Sequence, residues 1–311
     1  MTLPLSTTEN KMIDIAILTQ QAYLQLDTQD PWQCQIALEE AWLAQALREQ
    51  GLSVQRLAWD DPQQDWSQVR GAVLRSTWDY SERSEAFEAW LDKVGQQTLL
   101  FNRYDLLRWN MDKHYLRDLA EQEVAIVPSV FVAKGQQMDV LALAQRFGWD
   151  EVIIKPVVSA GARDTLRLDL QQPKVAQQAL DAASAREATI VQPFLSSVLL
   201  QGELSLIVIG GEVSHAVRKT PRPGDFRVQD DHGGQVMPHI ANAEEIAFAE
   251  KAVAACPVLP LYARVDVLRD QQGRLRLLEL ELIEPELFFR FNPLAAASLA
   301  QQICNALPHS S

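Results

Sequence analysis

The chain has few cysteines, no excess of basic residues and no long apolar run. Its three cysteines, Cys34, Cys256 and Cys304, lie far apart without a C-x-x-C pair, which excludes a disulfide framework or a cysteine zinc site. Lys and Arg number 28 against 41 Asp and Glu, a net charge of -13, which argues against nucleic-acid and anionic-membrane partners. The polar start, Met1 to Asn10, lacks a signal-peptide pattern. We therefore expect a cytoplasmic protein.

Two common catalytic patterns are also missing. The chain contains no G-x-x-x-x-G-K-[ST] sequence, so a P-loop is excluded. It shows no obvious Ser/His/Asp or Cys/His arrangement for a covalent nucleophile. Apolar and aromatic residues make up 47% of the 311 residues, enough for one large domain or two to three smaller lobes.

The first hundred residues alternate between strands and helices. The pattern predicts a strand at Ile13–Thr19, a helix at Trp32–Gln50, and strands at Ser53–Leu57 and Gly71–Leu74. This alternation is typical of a parallel sheet covered by helices. We assign residues 1–110 to an N-terminal α/β lobe.

After residue 110 the pattern changes toward α+β. A helix is predicted at Met111–Glu121 and another at Met138–Phe147, and short strands with tight turns follow, as in antiparallel sheets. We assign 111–190 to a central lobe and 191–311 to a C-terminal lobe. The predicted strands are Glu151–Lys155, Thr165–Leu170, Thr189–Gln192, Leu204–Ile209 and Glu212–Val217.

A hairpin near the C-terminus, Tyr262-Ala-Arg-Val-Asp266 followed by Leu277-Leu-Glu-Leu-Glu281, carries three carboxylates and one arginine. Alternation along the strands puts Arg264 and Asp266 on one face. Pairing 264 with 279 and 266 with 277 adds Glu279 and Glu281 to it. Clustered acids repel without a cation, and magnesium binds carboxylate and phosphate oxygens. The hairpin thus predicts a magnesium site; the alternative is a solvated polar face.

Two strand ends are candidates for nucleotide contacts. Lys155 ends an apolar strand before the small-residue loop Ser159-Ala-Gly161-Ala162, whose backbone N–H groups can approach phosphate oxygens. The strand Thr189–Gln192 runs into Pro193, which removes one donor and leaves backbone groups for a purine edge. Plain solvated strand ends are the alternative for both.

A third candidate is the loop from Lys219 to Arg227. It concentrates three cations in an acidic chain, and its prolines and glycines fix its shape, so that it can clamp an anion. A merely solvated loop is the alternative.

The ordered set of these segments resembles the ATP-grasp superfamily. Three further segments, Arg75-Ser-Thr-Trp-Asp-Tyr80, Trp109–Lys113 and Gly224–Arg227, resemble the branch containing the cyclo-ligase of D-cycloserine biosynthesis. The resemblance implies an ATP-grasp fold with an N-terminal parallel-sheet lobe and antiparallel nucleotide-binding lobes. The segments that carry it are Lys113, Val152–Pro156, Gln192–Leu195, Gly202-Glu203, Arg264–Asp266 and Glu279–Glu281.

The resemblance also implies ATP and Mg²⁺ as cofactors, with residues in defined roles. Lys113 and Lys155, with the loop at Ser159 and Gly161, contact the phosphates, and Glu203 binds the ribose hydroxyls. Arg264 stabilises charge on the transferring phosphoryl group. The adenine is contacted by Gln192, Pro193, Phe194 and Leu195, and magnesium is held by Asp266, Glu279 and Glu281.

The chain departs from the superfamily pattern at two places. Glu281 stands where asparagine is usual, and the loop from Ser159 to Ala162 has less glycine than is common. The extra carboxylate is expected to tighten magnesium binding or to require a second ion. Glu284 is a possible substitute ligand.

The reaction implied is an ATP-dependent ligation of a carboxylate to an amine through an acyl phosphate. We expect small amino-acid-like substrates, with the reaction either intramolecular or between two molecules, and we keep a homodimer open as the assembly. Arg227 is the candidate clamp for the substrate carboxylate. Substrate recognition is assigned to Arg75, Trp78, Asp79 and Tyr80, which follow a strand end, where open α/β sheets bind ligands; a structural turn is the alternative. A phosphotransferase and a non-catalytic ATP-binding module are the competing functions.

Overall fold

Three β-sheets follow one another along the chain. The computed structural model describes residues 12–229 and 233–308, so the polar start Met1 to Asn10 lies outside it. Within the described residues, no helix is both long and apolar enough to cross a membrane. The strands are β1 Ile13–Thr19, β2 Val54–Ala58, β3 Val69–Ser76, β4 Leu99–Phe101, β5 Val130–Val132, β6 Glu151–Pro156, β7 Leu166–Asp169, β8 Thr189–Pro193, β9 Glu203–Ile209, β10 Glu212–Thr220, β11 Gln235–His239, β12 Tyr262–Arg269 and β13 Leu275–Glu281.

Nine α-helices connect or cover these strands in the described part of the chain. The helices are α1 Pro31–Glu49, α2 Ser84–Val94, α3 Tyr104–Asn110, α4 Tyr115–Glu121, α5 Val140–Phe147, α6 Pro173–Arg186, α7 Ser197–Gln201, α8 Ala243–Ala254 and α9 Leu294–Ala306. Asp30 caps α1 by accepting the N–H of Gln33, and Asn242 and Glu245 form a reciprocal capping box at α8.

The N-terminal sheet is parallel, as predicted, with strand order β2-β1-β3-β4. Helices α1 and α9 pack on one face through residues such as Leu43 and Leu299, and α2 packs on the other through Phe87 and Trp90. Because β2 and β3 lie on opposite sides of β1, the strand order reverses between β1 and β3. The carboxyl ends of these two strands therefore border a crevice suited to a ligand.

The other two sheets are antiparallel and have the orders β5-β8-β6-β7 and β11-β10-β9-β12-β13. Strand β8 pairs with β5 and β6, so a boundary at residue 190 cuts through a strand of the central sheet. We propose instead that the central lobe ends between β8 and β9.

The single helix predicted at Met111–Glu121 is wrong. Helix α3 ends at Asn110 and α4 begins at Tyr115, which leaves Lys113 in the turn between them. The N–H of Lys113 donates to the carbonyl oxygen of Val157 at 2.9 Å instead of to a helical carbonyl. A contact with a distant strand end thus outweighs local helix propensity at this point.

The predicted hairpin forms, but its predicted register is wrong. Arg264 pairs with Glu281 and Asp266 with Glu279. One residue of the difference from the prediction comes from a β-bulge between Asp266 and Val267, and the other comes from a turn that is one residue longer than expected, because Arg269 pairs with Leu275. Beyond that β-bulge, Val267 pairs with Leu277. The error amounts to two residues, so the four charged side chains still share one face.

One buried amide joins the first and third sheets. Asn102 is fully buried and donates to the carbonyl oxygens of Tyr262 and Leu282 at 2.9 and 2.8 Å. The side-chain oxygen Oδ1 of Asn102 accepts the N–H of Leu261 at 2.6 Å. The amide of this one residue therefore satisfies three backbone groups of the third sheet and its flanks.

We expect Asn102→Ala to lower the free energy of unfolding by about 3 kcal/mol or more, because it leaves buried backbone groups without partners. Urea denaturation measures the change. Asn305→Ala, at an exposed position on α9, is the matched control and should change stability by less than about 0.5 kcal/mol. Equal denaturation midpoints for the two variants would contradict this role of Asn102.

Candidate active site

A cleft of about 650 Å³ lies where the three sheets meet, and it collects almost every residue predicted from the sequence. Arg75 is the exception, because its side chain does not line this cleft. The predicted residues that do are Trp78, Asp79, Tyr80, Lys113, Lys155, Ser159, Gly161, Gln192, Pro193, Phe194, Leu195, Glu203, Arg227, Arg264, Asp266, Glu279, Glu281 and Glu284.

Two buried lysines converge on Glu279. The Nζ of Lys113 lies 2.8 Å from Glu279 Oε1, and that of Lys155 lies 4.0 Å from the same oxygen. Burial works against the charge of Glu279, but the two lysines lower its pKa to about 2. Burial also lowers the pKa of Lys155. Both lysines line the cleft, and two positive charges so close together suit the negative charge of a polyphosphate.

The turn that carries Lys113 is fixed to the backbone of β13. The Asn110 side chain donates to the carbonyl oxygen of Leu280 and accepts the N–H of Leu282, both at 2.9 Å. The hydroxyl of Tyr115 accepts the N–H of Leu280 at 3.0 Å. Lys113 lies three residues after Asn110 and two before Tyr115, so these contacts hold it beside Glu279.

A second charged cluster surrounds Arg264. Its guanidinium donates to Asp266 at 3.1 Å and pairs with Glu281. Burial opposes the charge of Asp266, but Arg264 and Lys219 hold the pKa of that carboxyl below its usual value. The cluster is an ordered arrangement of opposite charges in a region of low solvent access.

Lys219 is a central member of this cluster that the sequence analysis placed only in a charged loop. Its Nζ lies 2.5 Å from Glu203 and 3.5 Å from Asp266. Burial alone would lower the pKa of Lys219, but the two carboxylates raise it. The turn Gly210-Gly211 indicates that β9 pairs with β10, but simple pairing across it puts Arg218 opposite Glu203. Only a register shift between Val213 and His215 brings Lys219 there.

Gly202 makes this close pairing possible. Its φ is +73°, and a Cβ there would lie 2.4 Å from the carbonyl oxygen of Lys219. Any larger residue would push the start of β9 away from the end of β10. Glu203 would then lose its contact with Lys219.

The carboxylates are chemically suited to magnesium, although they do not yet converge on one point. Burial and repulsion from neighbouring acids raise the pKa of Glu281 to about 7 and that of Glu284 to about 8. A divalent cation would relieve that repulsion. Within residues 12–229 and 233–308, however, no three acidic, histidine or cysteine side chains are grouped as metal ligands. Lys113 pairs with Glu279, and Arg264 pairs with Asp266 and Glu281.

The segment predicted to contact adenine lies at the end of β8. Phe194 is covered by the guanidinium of Arg167, 3.8 Å from the ring centroid, and contacts Phe226 edge-on at 6.0 Å. The amide of Gln192 donates to the Ser129 hydroxyl at 2.9 Å. Arg167 was missed from the sequence, because only the pairing of β7 with β6 brings it to this segment.

The small-residue loop is tied to Lys113. The Lys113 ammonium donates to the carbonyl oxygen and the hydroxyl of Ser159 at 2.7 and 3.1 Å. Gly161 and Ala162 have positive φ values of 58° and 57°. Arg163 anchors the far side of the loop on the Val158 carbonyl oxygen at 2.7 Å.

Known proteins match this chain in both sequence and structure. A family model described as the N-terminal domain of D-cycloserine synthetase DcsG matches residues 15–102, and the ATP-grasp domain of prokaryotic glutathione synthetase matches residues 119–259. The cycloserine biosynthesis protein DcsG of Streptomyces lavendulae is 32% identical over 85% of this chain and 92% of its own. The chain belongs to the ATP-grasp ligase family.

Solved structures agree with this assignment. The crystal structure of D-cycloserine synthetase DcsG has a TM-score of 0.81 at 30% identity, over 94% of this chain and 99% of that one. The ATP-grasp ligase PsnB, complexed with minimal precursor, Mg and ADP, shares the fold at a TM-score of 0.61 and 15% identity, over 94% and 99% of the two chains. This chain is therefore an enzyme, an ATP-grasp ligase that forms a carbon–nitrogen bond.

Arg75 of the ligase lies beneath the cleft wall. It is 3% exposed and donates to Glu39 and to the carbonyl oxygen of Pro285, both at 2.7 Å. Glu39 also accepts the N–H of Leu287 at 2.6 Å. Arg75 and Glu39 thus hold the segment 284–288, which carries Glu284 and Glu286 to the cleft. They position this segment and do not themselves line the cleft.

The other residues predicted to recognise substrate line the cleft, but their side chains differ in how firmly neighbouring residues hold them. Asp79 accepts from Arg83 at 3.0 Å and from the Trp59 indole at 2.8 Å. Tyr80 is buried against Phe87. Trp78 is half-buried and lines the cleft.

We expect Arg75→Met to reduce the free energy of unfolding by about 3–5 kcal/mol, because it leaves Glu39 buried without its cation. The double variant Arg75→Met/Glu39→Gln should recover much of this loss, since glutamine keeps an acceptor for Leu287. Urea denaturation of the single and double variants tests the coupling.

Arg70→Met is the control for this pair, because Arg70 lies on the same strand in a more exposed pair with Asp14. Its loss should cost less than about 1 kcal/mol. A double variant of Arg75 and Glu39 as unstable as the sum of its single variants would contradict the pairing.

Proposed function

We propose that the ligase activates a small amino-acid-like substrate by phosphorylating its carboxylate. The carboxylate oxygen attacks the γ-phosphorus of ATP, ADP leaves, and an acyl phosphate forms. An amine then attacks the acyl carbon, phosphate leaves, and an amide-type bond results. The amine comes either from the same molecule, giving a ring, or from a second substrate.

The arrangement of paired charges around the cleft is the observation that carries this proposal. Lys113, Lys155 and Lys219 are each buried beside a carboxylate and each line the cleft. Such preorganised cations stabilise transferring phosphate without the cost of reorienting solvent. Lys113 and Lys155 would contact the phosphates, Glu203 the ribose, and the segment from Gln192 to Leu195 the adenine.

Arg264 and Arg227 would act on the reacting groups. Arg264 lies between two carboxylates on β12 and β13, and it would stabilise charge on the transferring phosphoryl group. Arg227 is held by Asp225 at 2.8 Å and faces the cleft. It would clamp the substrate carboxylate by a charge-assisted hydrogen bond.

Magnesium would be held by Asp266, Glu279 and Glu281, with Glu284 as a further oxygen donor. When bound, it would screen the charge of the phosphates. The protein's own residues would position both reactants and exclude water from the acyl phosphate. Formation of a ring is supported by the 32% identity to a cycloserine biosynthesis protein, because cycloserine is itself cyclic.

The proposed function is tested by measuring the rate of ADP formation in the presence of each member of a panel of amino acids and amines. We expect ADP release only with a suitable carboxylate, and in the presence of hydroxylamine we expect a hydroxamate, which reports the acyl phosphate. A stable phosphorylated product with no need for an amine would instead favour a phosphotransferase. Binding of ATP without turnover on any member of a broad panel would favour a non-catalytic module.

We expect Asp266→Asn to lower kcat by about 100-fold or more, because it removes a buried charge beside the reacting phosphate. Steady-state kinetics over a Mg²⁺ titration should also show a higher metal requirement. Asp169→Asn, at an exposed position on β7, serves as control and should retain wild-type rates. Full turnover by Asp266→Asn at wild-type Mg²⁺ levels would refute the metal assignment.

A further inference from the structure

Three aromatic rings line the cleft at a place that the phosphate chemistry does not use. Trp78, just beyond β3, contacts Tyr23 edge-on at 5.8 Å between centroids and Trp32 at 5.5 Å with a tilt of 37°. Tyr23 follows β1, and Trp32 lies in the first turn of α1. We call these three residues the aromatic wall.

The aromatic wall stands at the crevice where the strand order reverses. Two hydrogen bonds join its supporting loops: the N–H of Gln20 donates to Ser76 at 2.9 Å, and the N–H of Asp79 donates to the side chain of Gln20 at 3.1 Å. The rings stay half-buried and face the cleft, whereas Trp59 in the core behind them is 1% exposed. A rigid, partly exposed aromatic surface at this position is suited to a ligand.

The charges around the aromatic wall favour a cation. Four arginines of the N-terminal lobe and of the segment after β13 are each paired with an acid: Arg56 with Glu40, Arg75 with Glu39, Arg83 with Asp79, and Arg290 with Glu286. Glu82 and Glu286 also line the cleft, and Glu286 lines a smaller cavity together with Trp32 and Trp78. An anionic group would find few available cations here, whereas an ammonium group would find aromatic rings and carboxylates together.

We propose that the aromatic wall binds the ammonium group of the substrate by cation–π contact and so selects amino acids over the matching hydroxy acids. This inference rests on the proposed ligase function and adds its specificity determinant. The substrate would lie with its ammonium group at Trp78 and its carboxylate toward Arg227 and Arg264. A positively charged ammonium group is attracted to the π-electron density of an aromatic ring, whereas the neutral hydroxyl group of a hydroxy acid gains no such cation–π contact.

The first test compares amino acids with hydroxy acids of the same skeleton, such as serine with glycerate and alanine with lactate, in the ADP-release assay. In Trp78→Leu, the KM for an amino-acid substrate should rise by about 5- to 30-fold, as expected for loss of a desolvated cation–π contact. The KM for ATP should stay unchanged. Trp78→Phe, which keeps an aromatic face, should retain most of the preference.

Two further variants separate this effect from a general loss of structure. Tyr23→Leu changes a second ring of the aromatic wall and should act in the same direction. Trp149→Leu changes a half-buried indole stacked on Phe147 outside the cleft and should leave the KM values unchanged. A Trp78→Leu variant that folds and keeps the wild-type preference for amino acids would overturn the proposal.

The second test measures binding without turnover. Tetramethylammonium chloride should quench the tryptophan fluorescence of the wild type more than sodium chloride at equal ionic strength, and Trp78→Leu and Tyr23→Leu should lose most of that difference. Equal quenching by both salts in the wild type would overturn the proposal. If no acid in the panel supports ADP release, the ligase proposal fails, and this binding test still decides whether the aromatic wall recognises cations.

Discussion

Opposite charges paired inside the cleft are the constraint on which the rest of the structure depends. Arg264, Lys113 and Lys219 each lie against a carboxylate in a region with little solvent. A buried ion pair contributes little to stability compared with apolar packing, and breaking one is costly. The fold therefore has to support these pairs precisely, and it does so through backbone contacts: Asn110 and Tyr115 fix Lys113, and Gly202 brings Glu203 to Lys219.

Buried polar contacts also link the lobes to one another. Segment 284–288 is held from the N-terminal lobe by Arg75 and Glu39, and Asn102 binds the backbone at the start of β12 and just after the end of β13. Both contacts end on the elements that carry the acidic side chains of the cleft. The N-terminal lobe thus sets the position of carboxylates that belong to the other end of the chain.

Local patterns predicted a large part of this molecule. A short apolar run located β1 to the residue, and alternation along the strands identified the closing hairpin and placed Arg264, Asp266, Glu279 and Glu281 on one face. The predicted register of that hairpin was wrong, since neither a β-bulge nor the exact length of the turn is visible in alternation alone. The prediction of one continuous helix through Lys113 was wrong because the N–H of Lys113 donates to the carbonyl oxygen of Val157, more than forty residues away. The pairing of Arg75 with Glu39 depends on the packing of α1 against β3, which no short segment encodes.

The contact of Lys113 with Ser159 has a consequence for the order of events. One ammonium group holds both the carboxylate of Glu279 and the loop that begins at Ser159. A phosphate that takes this ammonium as its partner competes with the loop for the same donor. On the proposed role of Lys113 in phosphate binding, nucleotide binding and release of this loop are thermodynamically linked.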